Sequence, residues 1–227
     1  MSAGASASAH PLSPVILSAM QADGFITAGG NSSRMGRDKA WLELDGVTMI
    51  ERVIAALRPV TARLTIIANR PQYTRLNLPV VADTNFGVGP FEAIRTALVN
   101  ARHSHVVLVG CDLPFVTSEL FAHLLRVAGD AQAVVPLDES GRFEPLCAVY
   151  SIAALAAVTE LIAAGQRKVS HLFDRIPTRF VAFAELERLD GASLFFENIN
   201  SPEDYQRAVE RLKSPGLRGK PREKSES

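Results

Sequence analysis

The feature that most limits the possible folds is a series of short, uninterrupted apolar runs separated by segments with helical periodicity. The runs cover residues 25–28, 64–68, 80–82, 105–110 and 133–136. Short continuous runs of this kind are typical of parallel strands that are buried on both faces of a sheet. Their alternation with helices is typical of α/β proteins. The sequence therefore predicts a three-layer α/β fold with a doubly wound, mostly parallel sheet between helices.

Local signals mark several of the helices. Thr48 can cap a helix, with Glu51 three residues later as its capping-box partner. Thr117 is placed to cap a second helix that reaches about residue 128. Apolar residues with helical spacing predict further helices over 91–101 and 152–163.

Composition bounds the domain organisation and excludes two classes of partner. The chain has 227 residues, of which 47% are hydrophobic, and we expect one domain over residues 22–213. Residues 1–21 and 214–227 are rich in small, polar or charged residues, and we expect them to be disordered tails. Basic and acidic residues balance at 24 each, and no apolar run is long enough to span a membrane. Neither nucleic acid nor a membrane is therefore an expected partner.

The two cysteines carry no metal or redox signal. Cys111 and Cys147 lack the spacing that such sites require. We expect both to be free, buried thiols in a reducing compartment, the cytoplasm.

A glycine-rich loop follows the first predicted strand and carries two bases. Gly29 and Gly30 have no side chains, so consecutive backbone N–H groups can approach an anion. Arg34 and Lys39 add positive charges that suit phosphate oxygens. The loop matches neither a Walker A sequence nor the Gly-x-Gly-x-x-Gly dinucleotide sequence. It predicts a nucleotide phosphate site, with an ordinary strand-to-helix turn as the alternative.

Two aspartates follow predicted strands at their carboxyl ends, where open α/β sheets bind ligands. Asp83 comes after the run at 80–82 and is placed to meet a ligand group, with a turn-forming role as the alternative. Asp112 comes after the run at 105–110 and precedes Pro114. Its carboxylate is a candidate ligand for Mg²⁺, which takes one or two carboxylates together with substrate phosphates. A structural role at the strand end is the alternative for Asp112.

Several segments resemble the molybdenum cofactor guanylyltransferase family, whose members are nucleotidyltransferases that activate small metabolites. The sequence Ala28-Gly-Gly-x-x-x-Arg34-Met35-Gly36-x-Asp38-Lys39 is similar to the family's signature loop. Similar segments follow at Cys111-Asp-x-Pro114, Pro145-Leu-Cys-Ala-x-Tyr150, Gly165-x-Arg-x-Val169 and Asn198-x-Asn200-Ser-Pro-Glu-Asp204. The resemblance therefore extends over most of the chain, from about residue 24 to about residue 205.

This resemblance implies a fold, a reaction and a set of partners. The fold would be that of a Rossmann-like nucleotidyltransferase. The terminal phosphate of molybdopterin would attack the α-phosphate of GTP, giving molybdopterin guanine dinucleotide and pyrophosphate. Mg²⁺ would be the cofactor, and any protein partners would belong to cofactor biosynthesis.

The same resemblance implies roles for individual residues. Arg34, Lys39 and Asp112 would act in catalysis, and Asp112 would also hold the metal. The nucleotide would be bound by Thr27, Ala28, Gly29, Gly30, Lys39, Ile67, Asn69, Asp83 and Asp112. Asn198 and Asn200 would reach the pterin acceptor, with a turn role as the alternative. The basic segment 166–169 would begin a helix near the active site, or it forms a solvated turn.

Two departures from the family bear on the base and on the acceptor. Ile67 stands where relatives often have Asn, and Glu144 stands where some relatives have His. The alternatives are a CTP-using or other metabolite nucleotidyltransferase of the same superfamily, or a non-enzymatic nucleotide-binding relative. A non-enzymatic relative has no need of Lys39 or Asp112, so the presence of both favours an enzyme.

Overall fold

The fold is described from a computed structural model that covers residues 22–29, 38–82 and 89–213. Within these ranges, no helix combines the length and the apolar character needed to cross a membrane. Cys111 and Cys147 are free and buried, as predicted. Some predicted features lie outside the described residues, namely the tails at 1–21 and 214–227, Gly30, Arg34 and Asp83.

The domain is built on one large sheet and a small hairpin. The strands of the described residues are β1 (Ala22–Thr27), β2 (Glu43–Leu44), β3 (Val47–Thr48), β4 (Arg63–Ile67), β5 (Val80–Val81), β6 (His105–Gly110), β7 (Ala133–Pro136), β8 (Cys147–Ser151) and β9 (Thr178–Val181). β2 and β3 form the hairpin, and the other seven form one sheet in the order β5-β4-β1-β6-β8-β7-β9. Each predicted apolar run overlaps a strand of this sheet.

β8 is the strand that breaks the parallel arrangement. It pairs antiparallel with both β6 and β7. The remaining pairs, β1 with β4, β1 with β6, β4 with β5 and β7 with β9, are parallel. The mostly parallel sheet is therefore confirmed, although β8 and β9 were not among the predicted strands.

Helices connect the strands, and two of them begin directly after their predicted caps, Thr48 and Thr117. They are α1 (Met49–Leu57), α2 (Pro90–Asn100), α3 (Ser118–Arg126), α4 (Leu155–Ala163), α5 (Ser170–Phe173), α6 (Phe183–Leu186) and α7 (Pro202–Lys213). Short 3₁₀ turns cover Lys39–Trp41, Pro71–Leu76, Ile152–Ala154 and Ala192–Leu194. The predicted capping box is present, since Thr48 Oγ1 accepts from the N–H of Glu51 at 3.4 Å and the Glu51 carboxylate accepts from the Thr48 N–H at 3.1 Å.

Two apolar cores cover the two faces of the large sheet. Neighbouring strand residues point to opposite faces, so Phe25 and Ile26 belong to different cores. α1 and α3 pack on one face, with Val53 of α1 fully buried. α2, α4 and α5 pack on the other face, with Ile94 of α2 fully buried. The predicted three-layer, doubly wound fold is therefore confirmed.

A third, smaller core fixes the last helix to the hairpin. Leu44 of β2 packs with Ile199 and with Ala208 of α7, and all three side chains are fully buried. The Tyr205 hydroxyl donates to the Glu43 carbonyl at 2.6 Å. These contacts hold the segment before α7 against the carboxyl edge of the sheet.

Candidate active site

The carboxyl edge of the sheet brings together the ends of β1, β4 and β6. Thr27 pairs with Ile67 on one side and with Gly110 on the other. The Ala28 N–H donates to the Ile67 carbonyl at 2.9 Å, and the Cys111 N–H donates to the Thr27 carbonyl at 2.9 Å. The start of the glycine-rich loop is thereby fixed between two neighbouring strand ends.

Gly29 turns the chain as it leaves β1. Its φ of 82° lies in the left-handed region, where a side chain would strain the backbone. A Cβ at this position would lie 3.6 Å from the Tyr73 ring, which is an ordinary contact. Conformation rather than crowding therefore requires glycine here.

Lys39 connects two distant parts of the chain at this edge. Its Nζ donates to Asp112 Oδ2 at 2.8 Å and to Asn200 Oδ1 at 2.7 Å. The side chains of Lys39 and Asp112 are 16% and 23% exposed, so a ligand has access to both. Three residues that the sequence singles out therefore meet at one point.

The position of Asp112 depends on two neighbours. Gly110 leaves room for its carboxylate, because a Cβ on Gly110 would overlap Asp112 Oδ1. The Asp112 carbonyl accepts from the N–H of Ile199 at 3.0 Å. This bond holds Asn198 and Asn200, on either side of Ile199, next to the end of β6.

Asp38 anchors the turn that carries Lys39. Its carboxylate accepts from the Tyr73 hydroxyl at 2.7 Å, from Gln72 Nε2 at 3.1 Å and from the Ala40 N–H at 3.2 Å. From the sequence, Asp38 is recognised only as a part of the loop motif and receives no role. Its donors, Gln72 and Tyr73, lie 34 and 35 residues away, so no pattern of neighbouring residues indicates these bonds.

Glu144 and Asn198 meet on the side of the site opposite β4. Asn198 Nδ2 donates to Glu144 Oε2 at 3.4 Å. Burial raises the pKa of Glu144, the hydrogen bond from Asn198 opposes this rise, and the charge of Asp112 adds to it. A cavity of about 230 Å³ opens beside this pair and is lined by Asp138, Arg142, Phe143, Glu144, Phe196 and Asn198.

Other predicted residues lie apart from the Lys39 contacts. Ile67 is 2% exposed and packs in the core beneath α2, while its carbonyl accepts from the Ala28 N–H at the edge. Asn69 is exposed just after β4. Arg167 and Lys168 are exposed in the turn before α5. Their roles in binding remain predictions.

The chain is similar to known proteins in both sequence and structure. The MobA-like NTP transferase domain matches residues 24–179. The probable molybdenum cofactor guanylyltransferase of Carboxydothermus hydrogenoformans is 33% identical over 81% of this chain and 93% of its own length. The molybdenum cofactor guanylyltransferase of Desulfosudis oleivorans is 30% identical over 84% of this chain and 96% of its own length.

A solved structure agrees with the sequence relatives. The molybdopterin-guanine dinucleotide biosynthesis protein A from Archaeoglobus fulgidus superimposes with a TM-score of 0.71 and 27% sequence identity. The match covers 84% of this chain and 98% of that protein. The sequence matches extend over most of the chain, and the family model includes the ends of β1, β4 and β6; the chain therefore belongs to the molybdenum cofactor guanylyltransferases, enzymes with a MobA-like NTP transferase domain.

Proposed function

We propose that this protein transfers GMP from GTP to the terminal phosphate of molybdopterin and releases pyrophosphate. The observation that carries the proposal is the meeting of Lys39, Asp112 and Asn200 at the carboxyl edge of the sheet. Open α/β sheets bind their ligands at this edge. The names of the sequence relatives indicate the same reaction.

In the proposed reaction, the protein positions charged groups and forms no covalent bond. A phosphate oxygen of molybdopterin attacks the α-phosphorus of GTP, and the bond from that phosphorus to the β-phosphate oxygen breaks. Lys39 would move from Asp112 to the phosphates and would stabilise the charge on the leaving pyrophosphate. Arg34 and the backbone of Gly29 and Gly30, which the sequence places in the same loop, would add to this stabilisation.

The donor atoms beside Lys39 fit a divalent cation. Asp112 Oδ2 and Asn200 Oδ1 already face one positive atom, Lys39 Nζ, at 2.8 and 2.7 Å. Mg²⁺ prefers such oxygen donors and commonly takes its remaining ligands from phosphates and water. No group of three or more Asp, Glu, His or Cys side chains suited to a metal occurs in the described part of the chain. From the oxygen donors beside Lys39 we propose Asp112 as the protein carboxylate that holds Mg²⁺, which would neutralise phosphate charge when bound.

The nucleoside and the acceptor would lie on opposite sides of Lys39. Ile67 packs into the core, so side-chain contacts with guanine would come from Asn69 and, as the sequence suggests, from Asp83. The acceptor would bind at Asn198 and Asn200, beside the cavity of about 230 Å³. Its terminal phosphate would then approach the GTP at Lys39.

The test is a comparison of nucleotides followed by a transfer assay. Thermal shift with the common ribonucleoside triphosphates and Mg²⁺ should show the largest stabilisation with GTP, because binding to the folded state alone raises its stability. GTP, CTP and ATP then compete for transfer to molybdopterin. A clear preference for CTP would assign the protein to a cytidylyl class, and no binding of any nucleotide would overturn the proposal.

A further inference from the structure

Asp38 is the most completely bonded carboxylate next to the proposed phosphate site. Its side chain is 7% exposed, and besides its hydrogen bonds it lies 3.5 Å from Arg70 Nη1. Burial of a carboxylate is costly unless donors replace its water. Tyr73, Gln72, Arg70 and the Ala40 N–H supply those donors.

These donors connect two segments that otherwise belong to different parts of the chain. Ala40 belongs to the turn Lys39–Trp41, whereas Arg70, Gln72 and Tyr73 belong to the segment after β4. The Trp41 and Tyr73 rings stack with their centroids 5.5 Å apart, which gives the same two segments an apolar contact. Asp38 thus joins the turn that carries Lys39 to the segment that follows Asn69.

We propose that Asp38 is a positioning residue for the nucleotide triphosphate, acting through Lys39. This inference rests on the proposed function. A lysine side chain has several rotatable bonds, so its ammonium is directed to one place only when its backbone is fixed. Asp38 fixes that backbone from the adjacent position, and a displacement of about 1 Å can lower a rate about 100-fold.

The decisive experiment is a double-mutant cycle on nucleotide binding. Dissociation constants for GTP and for GMP, each with Mg²⁺, are measured by calorimetry for the wild type, Asp38→Asn, Lys39→Ala and the double variant. Asp38→Asn keeps the size of the side chain but presents an amide N–H₂ to the donors. We expect GTP binding to weaken about tenfold and GMP binding to change by less than about twofold. In the Lys39→Ala background, Asp38→Asn should have almost no further effect, because the residue that it positions is gone.

Asp23→Asn serves as the matched control. Asp23 is 2% exposed and accepts from the N–H groups of Arg102 and His103, but it lies near the amino end of β1, away from Lys39. This variant should lower the melting temperature and leave the ratio of GTP to GMP affinity unchanged. Equal losses for GTP and GMP in Asp38→Asn, or additive losses in the double variant, would show a purely structural role and overturn the inference.

Tyr73→Phe provides a second route if Asp38→Asn does not fold. It removes the 2.7 Å bond to Asp38 and retains the aromatic ring beside Trp41. GTP binding should weaken about two- to fivefold, with GMP binding unchanged. If Lys39→Ala weakens GTP binding while both Asp38→Asn and Tyr73→Phe bind like the wild type, the inference fails and the proposed function stands. If the wild type binds no GTP, both fail.

Discussion

Gly110→Ala should reduce transfer activity by displacing Asp112. A Cβ at this position would overlap Asp112 Oδ1 and would also lie 3.9 Å from Thr27 Oγ1. The carboxylate is held by Lys39 at 2.8 Å, so movement away from the new methyl group disturbs that contact as well. Gly110 is not in a left-handed conformation, and the backbone itself therefore tolerates alanine.

The size of the effect follows from the displacement. Relief of the overlap requires the carboxylate to move by about 1 Å, since carbon atoms and oxygen atoms that are not bonded stay more than about 3 Å apart. A misplacement of about 1 Å can cost about 100-fold in rate, or about 2.7 kcal/mol of transition-state energy. Because the Asp112 side chain is 23% exposed, it has room to swing aside, and stability should fall by only about 1 kcal/mol.

Steady-state transfer assays and urea unfolding separate these two effects. Gly24→Ala is the control, because its Cβ would overlap Leu64 Cδ2 near the amino end of β1, away from Asp112. The control should lose about 1–3 kcal/mol of stability while its kcat/KM stays close to that of the wild type. Wild-type kcat/KM in a folded Gly110→Ala protein would refute the placement of Asp112 in the catalytic site.

Three further predictions follow from contacts described above. Lys39→Ala should reduce transfer at least about tenfold, about 1.4 kcal/mol, and leave the protein folded, because the Asp112 carboxylate keeps access to solvent when its partner is removed. Unchanged turnover in the folded variant would contradict the phosphate role. Ile199→Ala should lower the free energy of unfolding, measured in urea, by about 2–5 kcal/mol, since the side chain is fully buried. The loss of this packing should also release Asn200 and weaken acceptor binding, which a rise in KM for the acceptor would show. Burial alone would raise the pKa of Asp23, but its hydrogen bonds outweigh burial and hold the pKa below the ordinary value of 3.8. The stabilising effect of Asp23 should therefore be complete above that pH and disappear as the pH falls through its folded-state pKa. The stability difference between wild type and Asp23→Asn, measured by urea unfolding, should therefore shrink below about pH 4, and a difference independent of pH would contradict the assignment.

Signals confined to a few neighbouring residues predict this fold well. The capping box at Thr48 and the continuous apolar run of β6 depend on adjacent positions, and both are found where the sequence indicates. β9 is missed because Arg179 and Phe180 are exposed at the sheet edge, so the segment has no continuous apolar run. β8 runs antiparallel to both β6 and β7, and this direction depends on long-range pairing that no pattern of neighbouring residues indicates.

The candidate site is less accessible to sequence reasoning than the fold. Lys39 and Asp112 are recognised from local chemistry and Asn200 from a family resemblance, but the contact between Lys39 and Asn200 spans 161 residues and depends on the whole sheet. The importance of Asp38 is hidden for the same reason, because its donors come from the segment after β4. The burial of Ile67 follows from its apolar run, but its packing against α2 becomes visible only in the structure.

The reversed direction of β8 has a consequence for how enzymes of this shape can diversify. In the parallel strands β1 and β6, the chain leaves the sheet at the edge that carries the candidate site, whereas in β8 it enters the sheet there, just after Glu144. The proposed phosphate side therefore includes chain that has just completed a strand, whereas Phe143 and Glu144, which help to line the cavity beside Asn198, belong to chain that is about to begin β8. Insertions or exchanges between β7 and β8 would reshape the proposed acceptor side of the site without shifting the register of β1 and β6. With the donor and acceptor sides proposed above, changes in the loop between β7 and β8 would alter the acceptor and leave the donor chemistry in place.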